Sequence, residues 1–232
     1  MSPRLCHLGQ KPSQLICTVV RIHTSPFSMS TGQSATANPS QNKAYTAAEY
    51  QRNPDHVAKT GRGENEESYV LALLTDIKHH KYLTGLRDKY FPSHINKLEA
   101  HVAMFRALPG SQLPRITKDL DEVVQRHNRF QIVADRPFKL GHGIGINVRK
   151  NEAEDIFEEL KSRWSTFLSK QDQSFRAHYT VQNKVDNLED IEKSLEELRK
   201  EFHRSEGTVD GLALYRYSKG FWKDRRDFLF SG

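Results

Sequence analysis

Two short strand-like stretches each carry a histidine followed two residues later by a small side chain: Ala100-His101-Val102-Ala103-Met104-Phe105 and Ala177-His178-Tyr179-Thr180-Val181. In a β-strand, residues i and i+2 point to the same face. His101 is therefore expected beside Ala103, and His178 beside Thr180. The histidines are 178 − 101 = 77 residues apart, a separation that suits one α/β half-domain. The chain is thus constrained to two half-domains that each deliver one histidine strand. Two imidazoles brought together in this way form an acid–base pair near neutral pH.

The periodicity between and around these stretches gives the other elements. Tyr69-Val70-Leu71-Ala72-Leu73-Leu74 is a continuous apolar run, the pattern of a strand covered on both faces. Lys78 to Tyr90 reads as a helix stopped by Phe91-Pro92. His101 to Leu108 is the next strand, ended by Pro109-Gly110. Ile116, Leu120, Val123 and Val124 mark a second helix. Phe130 to Val133 and Ile144 to Val148 read as a strand pair around Gly141-His142-Gly143. A third helix has Asn151 as its cap, with Glu154 three residues on, and one apolar face from Ala153 to Leu168. Arg176 to Val185 is a strand. Leu188, Ile191, Leu195, Leu198 and Phe202 mark a fourth helix, and Gly211 to Tyr217 and Phe221 to Phe230 are closing strands. The order β-α-β-α-β-β-α-β-α-β-β predicts an α+β fold with antiparallel pairing.

The first 65 residues read differently. They are rich in Ser, Thr, Asn, Gln and Pro without sustained periodicity, the pattern of a disordered tail, and the folded domain is expected over residues 66–232. Residues 1–65 hold 7 Lys/Arg against 3 Asp/Glu, and the remaining residues hold 28 against 26. The first acidic residue is Glu49, after Arg4, Lys11, Arg21 and Lys43. A Ser-rich, Arg-bearing, acid-free start is the pattern of a mitochondrial transit peptide. An ordinary polar tail on a cytoplasmic protein is the other reading, and Met29 offers a start that removes the segment. The domain's near-neutral balance argues against a duplex-DNA-gripping surface. Cys6 and Cys17 both lie in the tail, so the domain is expected to hold neither a disulfide nor a thiolate zinc site. No run of 18 apolar residues predicts a membrane span.

His178-Tyr179-Thr180-Val181 is a full His-hydrophobic-Thr-hydrophobic tetrapeptide, and His101-Val102-Ala103-Met104 departs from it only at Ala103. Two such motifs resemble the 2H phosphoesterase superfamily. Tyr90-Phe91-Pro92, Asn96 to His101, Phe105-Arg106-Ala107-Leu108-Pro109, His178 to Val185 and Gly220-Phe221-Trp222 further resemble its fungal 2′-5′ RNA ligase-like branch. The resemblance covers about residues 68–230. It implies a bilobal fold, two antiparallel-sheet lobes with flanking helices and a histidine strand from each facing a central cleft. It also implies a metal-independent, cofactor-free phosphodiesterase that opens 2′,3′-cyclic phosphates or related cyclic nucleotides, and in some members ligates RNA. The implied catalytic pair is His101 and His178, acting in a monomer on an RNA end or a small cyclic nucleotide.

The chemistry suits those residue types. Phosphodiester hydrolysis needs one group to take a proton from water and another to give one to the leaving oxygen. The Thr180 hydroxyl can donate to a phosphate oxygen where charge builds. Ala103 cannot, and losing one such donor costs about 10²–10³-fold in rate. The departure therefore opens a second reading, a catalytically weak relative that binds a nucleotide or RNA end. Arg176 shares the face of His178 and can meet a phosphate, as can Lys184; both are otherwise solvated surface cations. Gly141-His142-Gly143-Ile144-Gly145 is a hairpin turn rather than a nucleotide loop, because no helix follows it. His79, His80 and His94 lack metal-ligand spacing. Tyr215, Tyr217 and Trp222 can stack a base or simply fill the core.

Overall fold

In the computed structural model, residues 56–60, 62 and 66–232 are described, within the compact unit Thr46–Gly232. The transit-peptide and tail expectations for residues 1–55 fall outside them. Engaged chain nevertheless reaches upstream of the expected boundary. Lys59 N–H donates to the Phe167 carbonyl at 3.0 Å, and Thr60 Oγ1 donates to Glu66 Oε2 at 2.8 Å.

The elements follow the expected order: β1 (Ser68–Thr75), α1 (Ile77–Tyr90), β2 (Ala103–Pro109), α2 (Leu113–Val124), β3 (Phe130–Lys139), β4 (Ile144–Val148), α3 (Ala153–Trp164), β5 (His178–Gln182), α4 (Leu188–Glu201), β6 (Ser205–Ser218) and β7 (Phe221–Leu229). Local chemistry sets the helix ends. Asp76 caps α1 by accepting from Lys78 and His79 N–H. Asn151 Oδ1 accepts from Ala153 N–H, while Glu154 Oε2 accepts from Asn151 N–H, each at 2.9 Å, which realises the expected reciprocal cap. Leu140 N–H closes the Gly141–Gly143 hairpin onto the Gly143 carbonyl at 2.9 Å, with Gly141 at φ +52°.

The two halves form one hydrogen-bonded sheet rather than two separate ones. Its strand order is β2-β1-β6-β3-β4-β5, with β7 on β6, and every pairing is antiparallel. Strand β6 makes the join. Its first part pairs with β3 and its second with β1 and β7, and Val209 opposes both Thr75 and Phe130. This strand begins six residues before the expected Gly211, because Glu206-Gly207-Thr208 reads locally as a loop. At Gly207 a Cβ would lie 2.5 Å from both Asp76 Oδ2 and the His79 Cβ, so only glycine lets the strand pass the start of α1.

Strands β2 and β5 are the two ends of this path, yet they are tied together. The core explains how. Phe105 of β2 stacks on Phe157 of α3 at 4.8 Å and meets Trp164 at 5.1 Å, so a helix from the second half packs beneath the first. In return α1 packs on β5, where buried His79 bonds the Tyr179 hydroxyl at 3.1 Å and the Ser205 hydroxyl at 2.8 Å. Each half buries side chains of the other.

Candidate active site

The two histidines are oriented by the same device. His101 Nδ1 bonds the Glu99 carbonyl oxygen at 2.8 Å, and His178 Nδ1 bonds the Arg176 carbonyl oxygen at 2.7 Å. A carbonyl only accepts, so Nδ1 carries the hydrogen in both rings and Nε2 is left to exchange a proton. Each ring also has an aromatic neighbour. Trp222 lies against His101 at 4.2 Å between centroids, and Phe138 meets His178 edge-on at 6.2 Å.

Register places these groups. On the first half Ala103 pairs with Ala72, Val70 with Tyr215 and Tyr217 with Trp222. Paired residues share a face, so Ala72, Ala103, Tyr215 and Trp222 line the side on which Trp222 meets His101. A cavity of about 390 Å³ opens there, with Thr75, His80, Glu99, Tyr215 and Arg225 in its wall. On the second half Thr180 pairs with Gly145, which pairs with Phe138. A Cβ on Gly145 would lie 2.8 Å from the Phe138 ring, so glycine admits the ring toward His178. Thr180 is half-buried on the face of His178, whereas Tyr179 between them is buried on the other.

Burial and neighbouring positive charges lower both imidazoles. Burial first, then the positive charges of Arg87, Arg106 and His178, push the His101 imidazole down to about 4. Burial, then Arg106 and Arg176, also lower His178. His178 therefore reaches His101 with its field, and the Arg106 guanidinium reaches both.

His101 and Ala103 thus stand together on the first half, and His178 and Thr180 on the second, where the Arg176 guanidinium sits over the Phe138 ring at 4.8 Å. Lys184 stands apart. It is exposed beyond β5, at φ +60°. His101 lies just before β2 rather than inside it, and β5 is shorter than the expected Arg176–Val185. The chain leaves the ladder at Asn183 and turns through left-handed Lys184. Tyr215 lines the cavity, and its ring lies 5.0 Å from that of Trp222 between centroids. His80 Nε2 donates to Glu99 Oε2 at 2.9 Å.

Sequence reasoning missed Arg87 and the role of Arg106. Arg87 is 5% exposed. Its Nε donates to Asn96 Oδ1 and the Leu98 carbonyl, each at 2.9 Å, and Nη1 donates to the Thr180 carbonyl at 2.6 Å. Its only sequence signal was a cation on the apolar side of α1, four residues past Leu83.

A sequence model of the 2′-5′ RNA ligase superfamily matches residues 75–221, more than half of the chain and inclusive of both histidine motifs. Among solved structures, a phosphoesterase shares the fold with a TM-score of 0.51 at 11% identity, covering 72% of this chain and 99% of that one. Escherichia coli LigT complexed with 3′-AMP aligns with a TM-score of 0.47 at 11% identity over 72% and 99% of the two chains. TT0787 of Thermus thermophilus aligns with a TM-score of 0.48 at 13% identity over 71% and 100%. No curated protein matches the sequence.

Proposed function

The chain belongs to the 2′-5′ RNA ligase superfamily, and from that membership we propose that it is a phosphodiesterase opening 2′,3′-cyclic phosphates by two-histidine acid–base catalysis, without metal or cofactor. The observation that carries this reading is the matched anchoring of His101 and His178, each held through Nδ1 by the carbonyl two residues back.

One Nε2 takes a proton from water as the water oxygen bonds to phosphorus. The P–O bond to one ribose oxygen breaks, and the other Nε2, protonated, gives its proton to that oxygen. The sum is addition of one water, with the histidines exchanging protonation states. His101 is pushed lower than His178 and so suits the base; His178 suits the acid. Thr180 supplies a donor to a phosphate oxygen, and Arg176 adds positive charge beside His178. With the 5′-hydroxyl of a second RNA end in place of water, the same scheme joins RNA ends, the ribose oxygen again leaving with the proton of the acid. The substrate is an RNA end or a small cyclic nucleotide, bound by a monomer.

Ala103 favours a second reading, binding with weak turnover. Hydrolysis of uridine 2′,3′-cyclic phosphate in the presence of chelator separates the two. Turnover lost in both His101→Ala and His178→Ala supports the enzyme. Nucleotide binding without turnover supports the binder. A protein that neither binds nor turns over the nucleotide overturns both readings.

A further inference from the structure

Ala103 leaves the first motif without the hydroxyl that Thr180 gives the second. We propose that Arg106 fills that place, its guanidinium binding the nonbridging oxygens of the phosphodiester across from Thr180. This deepens the two-histidine reading and rests on it.

Strand parity puts Arg106 there. Ala103 pairs with Ala72, but Phe105 pairs with the adjacent Leu71, so two residues of β2 advance against one of β1. Such a bulge reverses the in–out alternation of the strand. In a regular strand Ala103 and Arg106, three apart, would face opposite sides. Here Phe105 turns into the core against Phe157, and Arg106 returns to the face of Ala72 and Ala103. That is also the face of Trp222 and His101.

The bulge is anchored. A second irregularity sets Leu71 and Tyr69 against Phe105 and Leu108, freeing the N–H groups of Arg106 and Ala107 from the ladder. They donate instead to Asp172 Oδ1 and Oδ2 at 2.8 and 3.0 Å. Asp172 is 1% exposed and also accepts from the Ser169 hydroxyl at 2.8 Å. It lies six residues before His178, so one buried carboxylate positions Arg106 relative to both motifs.

The side chain is available. Arg106 is exposed, and among the described residues its guanidinium makes no hydrogen bond or ion pair, unlike Arg129, Arg149 and Arg163. Its charge reaches both imidazoles. A guanidinium presents parallel donors matched to phosphate oxygens and keeps its charge at any working pH. It gives a developing phosphorane more stabilisation than the hydroxyl it replaces.

The test compares wild type, Arg106→Ala, Arg106→Lys, Ala103→Thr and the Ala103→Thr/Arg106→Ala double variant. Two quantities are read: kcat/KM on uridine 2′,3′-cyclic phosphate, and the Kd of inorganic phosphate from the histidine C2–H resonances. Arg106→Ala should lower kcat/KM about 10²-fold, the cost of one preorganised donor, and weaken phosphate binding. Arg106→Lys should restore part of both. Ala103→Thr should gain more in the Arg106→Ala background than in wild type, since the two groups serve one place. Both histidines should titrate higher in Arg106→Ala, because Arg87, Arg176 and Asp172 stay in place and only the shared cation is gone. Unchanged phosphate affinity in Arg106→Ala, or equal gains from Ala103→Thr in both backgrounds, overturns the proposal. If wild type hydrolyses no cyclic nucleotide, the enzymatic reading fails, and phosphate affinity alone still decides Arg106.

Discussion

Arg87 on α1 donates through Nη1 to the Thr180 carbonyl oxygen on β5 at 2.6 Å, while its Nε holds the Leu98 carbonyl just ahead of His101. One buried cation thus spans the two motif segments from behind. Burial lowers it to about 10, still charged at neutral pH, and it stacks on the Phe91 ring at 3.9 Å. Arg87→Leu leaves both carbonyls and the Asn96 amide oxygen without their donor. The expected destabilisation is about 3 kcal/mol or more by urea denaturation, at about 1–3 kcal/mol for each of the three orphaned acceptors. Arg87→Lys should recover only part, because a point ammonium cannot hold three diverging acceptors. A loss smaller than about 0.5 kcal/mol, typical of surface substitutions, would remove Arg87 as the strut.

The pH dependence follows from the two imidazoles. Both are lowered from 6.5, His101 to about 4 and His178 less far. With His101 as base, kcat/KM rises as pH climbs through the lower value. With His178 as acid, it falls as pH climbs through the higher one. The free-enzyme optimum should therefore lie on the acid side of 6.5, reported as two macroscopic values of the pair. An optimum above pH 8 contradicts the assignment.

Thr180 carries the motif hydroxyl, on the face of His178. Thr180→Ala should lower kcat/KM by about 10²–10³-fold, with Thr180→Ser close to wild type. The backbone carbonyl that Arg87 uses is kept in both variants, so thermal stability should change little. Equal activity of Thr180→Ala and wild type would mean that the hydroxyl does not meet the phosphate.

Trp222 covers His101, and burial is the largest cause of its lowered titration. Trp222→Ala should let water reach the ring and raise the His101 titration toward 6.5, read from its C2–H resonance. Trp222→Phe should hold it low. The His178 resonance, packed by Phe138 on the other half, should move far less. If both resonances shift equally, the two rings do not have separate walls.

The element order, the reciprocal cap of Asn151 and Glu154 and the hairpin at Gly141–Gly143 were legible because each is written in neighbouring residues: apolar period, capping spacing, a turn glycine. The shared face of His178 and Thr180 was legible for the same reason, as two residues at strand spacing in one short motif. The sequence by itself determined which side chains each strand presents, up to the parity of an unbroken strand. Tertiary structure decided the rest. The bulge after Ala103 turns Arg106 to the face of Ala72 and Ala103 only because β2 slips against β1 and Asp172, 66 residues away, takes the freed N–H groups. Strand β6 joins the halves because Gly207 lets it pass the start of α1, where Thr208 N–H donates to Asp76, 132 residues before it. Trp222 meets His101 because β7 pairs with β6 in one register. These features depend on partners remote in the chain, and pairing parity and buried hydrogen-bond completion act only once those partners have met.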